Sequence, residues 1–158
     1  SARGQVRRSL EVLGGAWLLA AALSAGAAPP ATVAVRTAHG FDAAAQRTEQ
    51  AIEANGMGLV ASASASRGAA ARGVKIPGNM VLMVFRNDYA VRMLAASVAA
   101  GIEAPLRLYL TENADGSTTI SYVRPSAVFA PYGSAALDAM ARELDPVFDK
   151  IVHDAAGR

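Results

Sequence analysis

Six consecutive apolar side chains, Met80 to Phe85, limit what this chain can fold into more than any other stretch. In an extended strand successive residues face opposite ways, so Met80, Leu82 and Val84 line one face and Val81, Met83 and Phe85 the other. A strand that is apolar on both faces is covered on both. After a polar break at Arg86-Asn87-Asp88 and a helical stretch from Tyr89 to Ala100, the chain supplies partner strands. Leu106, Leu108 and Leu110 share a face of the stretch Pro105 to Glu112, and Ile120 and Tyr122 share a face of Thr118 to Val123. Pairing Leu110 with Ile120 and Leu108 with Tyr122, across a loop of Asn113 to Ser117, puts all five on one side. A slip of one residue would send the returning pair to the wrong face, so the pattern selects this register.

The flanking elements follow from the same two periods. Thr32 to Thr37 alternates Val33 and Val35 with Ala34 and Arg36, a short strand. His39-Gly40 breaks it. Asp42 is then placed to cap a helix that ends at Asn55-Gly56 and carries Phe41, Ala45, Thr48 and Ile52 on one side. Leu59 to Ser66 alternates strictly, predicting a strand with Leu59, Ala61, Ala63 and Ala65 on one face and Val60, Ser62, Ser64 and Ser66 on the other. Arg67 to Gly78 reads as a short helical turn and a loop closed by Pro77-Gly78. Asn87 or Asp88 caps the next helix, whose packed side is expected to be Val91, Leu94, Ala95 and Val98. Ser134 opens the last and clearest helix, with Leu137, Met140, Ala141, Leu144, Phe148, Ile151 and Val152 at helical spacing. Its stripe continues through Pro146, which favours a kink over a restart. The sum is an α+β fold in two layers: an antiparallel sheet of about five strands with helices packed on one face, in the order strand, helix, four strands, helix, with an extra short helix.

The totals exclude several classes. The chain of 158 residues is enough for one cored domain, and with 53% hydrophobic and 18% charged residues it is not a disordered chain. It has no cysteine, which excludes disulfides, thiolate metal sites and a lipid-modified cysteine. Abundant alanine, and arginine in place of lysine, read as compositional drift. A pI of about 9.3 suggests a polyanion partner. Yet residues 1–27 hold Arg3, Arg7 and Arg8 against Glu11, a net of +2 that equals the whole chain's +2. The remainder is neutral and has no overall field to steer it to nucleic acid. Those three arginines, the apolar run Val12 to Leu23 and the small residues Ala25-Gly26-Ala27 have the order of a secretory signal peptide. The run is short for a membrane span. Glu11 suits the twin-arginine route poorly, so the general secretory route is expected. The expected layout is a signal peptide at 1–27, a linker at 28–31 and a single α+β domain at 32–155, periplasmic and without a membrane anchor after cleavage.

The side chains that carry chemistry are few. His39 and His153 lack a metal-ligand spacing partner, and His153 suits the C-terminal end of a helix dipole. Soft thioethers bind copper, so a metal or haem handling protein using His39, Met57, Met83 and Met93 is the alternative reading. Met80 and Met83 point to opposite faces and cannot chelate together, and methionine commonly fills gaps in cores. The serines at 62, 64 and 66 lie in no nucleophile elbow, no acid–base pair stands out, and no catalytic residue or cofactor is assigned. Arg67, Arg72 and Lys75, with Arg86, are candidates for an anion site. A two-layer domain leaves one sheet face without helices, and here that face shows Val81, Met83, Phe85 and Tyr109. A helix over 88–100 or a second copy of the chain is expected to cover it, the latter giving a homodimer. A small apolar ligand between the sheet and the closing helix is the expected binding role, with Phe85, Arg86, Asn87, Tyr109 and Tyr122 as candidate contacts.

From Thr32 onward the motifs resemble the domain of unknown function 302 family. They are Phe41-Asp42 and Asn55-Gly56 around the first helix, Phe85-Arg86-Asn87, Ala104-Pro105-Leu106, Asp115-Gly116, Ser121-Tyr122 with Pro125, and Tyr132-Gly133. The resemblance implies a fold similar to the TATA-binding-protein superfamily and homodimers, and carries over no biochemical activity. Shared fold says nothing about DNA binding. Where the family often shows Phe-Gly-Asn-Pro, this chain has Phe85-Arg86-Asn87-Asp88, and an Asp-His pair of some members appears as Ser66-Arg67.

Overall fold

The computed structural model describes residues 31–158. The signal-peptide reading of residues 1–27, and the linker up to Pro30, lie outside the described residues. Element order is β1 (Thr32–Arg36), α1 (Phe41–Ala54), β2 (Gly58–Ala63), α2 (Ala65–Ala71), β3 (Asn79–Phe85), α3 (Asn87–Ala96), a 3-10 turn (Ala99–Glu103), β4 (Leu106–Glu112), β5 (Thr118–Val123), α4 (Pro125–Phe129), a second 3-10 turn (Ala130–Tyr132) and α5 (Ala135–Ala156). The five strands form one antiparallel sheet in the order β1-β5-β4-β3-β2, an α+β architecture. Among the described residues no helix is long and apolar enough to cross a membrane.

The hairpin register is the one that the leucines select: Leu110 lies opposite Ile120, and Tyr109 opposite Ser121. Leu82, Leu108, Leu110 and Ile120 are fully buried on the packed face, against Ile52 of α1 and Leu137, Ile151 and Val152 of α5. The Ser134 hydroxyl accepts a hydrogen bond from the Leu137 amide and caps α5. The helix runs unbroken through Pro146, and the Asp145 carboxylate turns away to accept from the Ser126 amide, so it does not restart a helix.

Four local expectations are corrected. The strict alternation of Leu59 to Ser66 gives way to a β-bulge between Leu59 and Ala61. Leu59 faces Val84 while Ala61 already lies opposite Met83, which leaves Val60 as the extra, exposed residue. The bulge moves Ala61 and Ala63 to the helix-free face. The strand also stops at Ala63, because the Ser64 hydroxyl accepts from the Arg67 amide and starts α2. The N-caps of α1 and α3 are Gly40 and Arg86, with no side-chain cap bond at either. Asp42 and Asp88 sit instead in the first turns, where a carboxylate suits the positive end of the dipole.

α3 packs by the opposite side from the one its spacing suggests. Val91, Leu94 and Val98 are exposed, Val98 to 79%, while Met93 is buried and Tyr89 and Ala96 lie against the core. Tyr89, Met93, Ala96 and the fully buried Ala100 recur at i, i+4, i+7 and i+11, so the segment holds two apolar stripes of helical spacing. The stripe that packs is the one that holds Tyr89 and Met93. Polar contacts fix the setting: Arg86 forks onto Asp88 at 2.7 and 3.0 Å and its guanidinium lies 4.3 Å from the Tyr89 ring centre. Arg92 reaches Glu143 of α5 at 2.7 Å. The helix therefore packs on α5.

Two measurements probe this frame. A Cβ on Gly78 would stand 2.4 to 2.8 Å from the Phe41 ring, too close for any carbon pair. Gly78→Ala is expected to cost roughly 1–2 kcal/mol as the half-buried ring is displaced, read from urea midpoints, and no loss would mean that Phe41 moves freely. At the hairpin, the Asp115 carboxylate accepts from the Ser117 hydroxyl and amide and from Arg36 at 2.6 Å, which together hold its pKa down to about 2. A carboxyl whose pKa is lowered by folding stabilises the fold above the usual aspartate pKa of about 3.9 and loses that contribution as pH falls through the folded value. A carboxyl NMR titration should place the Asp115 midpoint near 2, and a midpoint near the usual value would remove the turn's electrostatic lock.

Candidate functional site

The candidate site lies on the sheet face that the helices leave bare. Strand alternation and the observed registers fix what stands there. One row across the sheet runs Ala34, Ser121, Tyr109, Val81 and Ala63, and the next runs Thr32, Val123, Arg107, Met83 and Ala61. None of the residues that the five strands turn to this face is acidic.

Around Tyr109 these rows enclose a groove of about 470 Å³, lined by Val81, Leu106, Arg107, Tyr109, Val123 and Val128 among others. The apolar floor comes from β3, β4 and β5, and α4 closes the end through Val128. Tyr109 is 41% exposed, and its hydroxyl accepts a hydrogen bond of 2.5 Å from the Asn79 amide group, which pins the ring across the floor. At the rim the Tyr132 hydroxyl donates to the Glu103 carboxylate at 2.7 Å. That bond raises the Tyr132 pKa and keeps the hydroxyl a donor near neutral pH. Arg107 forms no hydrogen bond or ion pair among the described residues. Arg36, the other arginine on this face, is tied to Asp115.

The five ligand contacts expected from sequence are divided by the sheet. Tyr109 and Tyr122 line the groove. Phe85 and Arg86 instead border a gap of about 30 Å³ behind β3, shared with Met57, Met93 and Leu144. That volume holds about one water molecule, against about 470 Å³ in the groove. Asn87, the exposed first residue of α3, borders neither. Val81, Met83 and Phe85 are half-buried, and α3 packs on α5, with Tyr89, Ala90 and Met93 bordering the same small gap as Phe85.

The other candidates are dispersed as well. Met57 and Met93 meet behind the sheet, Met83 stands on the bare face beside Arg107, and His39 lies near Thr37 and Gly157. Among the described residues no three histidine, cysteine or carboxylate side chains are grouped to hold a metal. Of the basic candidates, Arg67 pairs loosely with Asp42 at 3.5 Å, Arg72 ends α2 and Lys75 is on an exposed loop. Arg86 is engaged with Asp88 and Tyr89 and holds the start of α3. His153 keeps its expected place in the last turn of α5, with its Nδ1 2.7 Å from the Asp149 carbonyl oxygen.

Sequence reasoning passed over Arg107, Val123 and Glu103. A period-two reading of β4 and β5 places the first two beside Tyr109, and that signal was available. Glu103 and Val128 reach the groove from a 3-10 turn and from α4, which no periodicity announces.

No curated protein matches the chain. A solved crystal structure, that of an uncharacterized conserved DUF302 protein from Bacillus stearothermophilus, is similar with a TM-score of 0.72 at 18% identity, over 80% of this chain and 99% of that one. At that identity the likeness is one of fold. The family model described as "Domain of unknown function DUF302" matches residues 32–155, nearly the whole described structure. The chain belongs to the DUF302 family.

Proposed function

We propose that the chain is a small exported binding module that works through the helix-free face of its sheet. A small apolar ligand lies in the groove around Tyr109, and a second copy of the chain covers that face to make a symmetric homodimer. The carrying observation is the groove itself, about 470 Å³ over an apolar floor, a size in the usual range of ligand pockets. Tyr109 supports the reading because an exposed ring with one polar tip suits a binding surface. Export is supported by the charged, apolar and small-residue segments of residues 1–27, and periplasmic protein is expected to begin at Ala28.

Phenylnaphthylamine, an uncharged apolar dye, tests the groove. Its fluorescence is expected to rise on the protein and to rise far less on Tyr109→Ala. Dye that ignores both proteins would remove the ligand reading. Light scattering tests the pairing: twice the chain mass at micromolar concentration is expected, and a monomer at tens of micromolar would remove the dimer.

A further inference from the structure

We infer that the ligand of the groove is an apolar anion, a carboxylate or sulfonate on a hydrophobic body, whose charged end is held by Arg107. This deepens the groove reading and rests on it. The strands place no carboxylate on the bare face, so the strand side chains there neither repel an anion nor neutralise a cation. Of its two arginines, Arg36 is occupied by Asp115 at 2.6 Å, whereas Arg107 has no partner among the described residues. The cross-strand neighbour of Arg107 on β3 is Met83, and Val123 follows in the same row, so the guanidinium rises from an apolar floor. Glu103, the one acidic residue of the groove lining, has its carboxylate turned to the Tyr132 hydroxyl at the rim.

Arg107 and Tyr109 project from the same face of β4 two residues apart, so a head on the first leaves the body over the second. A guanidinium offers a planar fork to a carboxylate or sulfonate, and the groove wall of Val81, Val123 and Val128 takes the rest. A second copy on this face would bring a second unpaired cation with it, which a bound anion offsets.

The test is a pair of dyes with one skeleton. Anilinonaphthalene sulfonate differs from phenylnaphthylamine by its sulfonate alone. The sulfonate is expected to bind the protein about tenfold more tightly than the neutral dye, as a charge-assisted hydrogen bond allows, and to weaken with added salt. Arg107→Gln is expected to erase that preference, so that the two dyes bind the variant equally, and Arg107→Lys to retain part of it. Tyr109→Ala is expected to weaken both dyes. Equal affinity for the two dyes on the unaltered protein, or a preference that survives Arg107→Gln, would overturn the anion inference and leave the groove reading standing. Binding of both dyes that is untouched by Tyr109→Ala would place them elsewhere and overturn both.

Discussion

Phe148→Ala is expected to lower the unfolding free energy by roughly 3–5 kcal/mol, the range for truncating a fully enclosed phenylalanine. Phe148 is among the largest side chains with no exposure to speak of, and its ring lies 5.9 Å from that of Tyr122 at a tilt of 39°. The loss has two parts. The removed ring forfeits its transfer from water, and the void it leaves forfeits contacts with neighbours that close in only partly. Tyr122 belongs to the packed face yet borders the groove, so the cavity opens directly behind the candidate site. Urea unfolding followed by far-ultraviolet dichroism should show a lower midpoint at unchanged slope. A cost near 1 kcal/mol would mean that α5 collapses onto the sheet with ease, and that the groove floor is softer than its burial implies.

The sheet was the legible part of this fold, and the reason is that its code is short-range. Three leucines at alternate positions of β4, answered by Ile120 and Tyr122, admit a single register, and the chain adopts it. β2 defeated the same rule because alternating alanine and serine weigh almost nothing, so a bulge at Val60 costs little and the pairing with Val84 and Met83 decides the faces. α3 defeated the helical rule differently. It carries two apolar stripes, and the choice between them is made by Met93 fitting beside Met57 and Met140 and by the Arg92–Glu143 bridge, both tertiary facts. The candidate site was legible by halves. Tyr109 was placed on the bare face by alternation and lines the groove, while Phe85, placed on that face as well, borders the small gap behind β3. Arg86, which looked available as a charge, is engaged by two residues close by in sequence. Whether a cation is free depends on its neighbours' rotamers, and that information is absent from spacing.

Alanine content was the feature most undervalued by the sequence reading, and Ala45→Leu measures by how much. Ala44, Ala45 and Ala51 of α1 and Ala141, Ala155 and Ala156 of α5 are buried, and those two helices run together over the sheet. Small side chains let helix axes approach, and the approach is fastened by Arg47, whose Nε donates to the Ala155 carbonyl at 2.9 Å, and by Asn55, whose amide reaches Asp154 at 3.0 Å. Ala45 is 1% exposed and belongs to the main core cluster. At so enclosed a site the added carbons of leucine crowd their neighbours, so either α1 lifts from the sheet or the leucine takes a strained rotamer, at a cost of roughly 2–3 kcal/mol. Ala43, exposed on the same helix, is the control: Ala43→Leu should change stability by less than about 0.5 kcal/mol. If both substitutions prove equally mild, the buried alanines are mere filler in a loose interface. A large loss at Ala45 alone makes them the residues that set how closely α1 lies on the sheet.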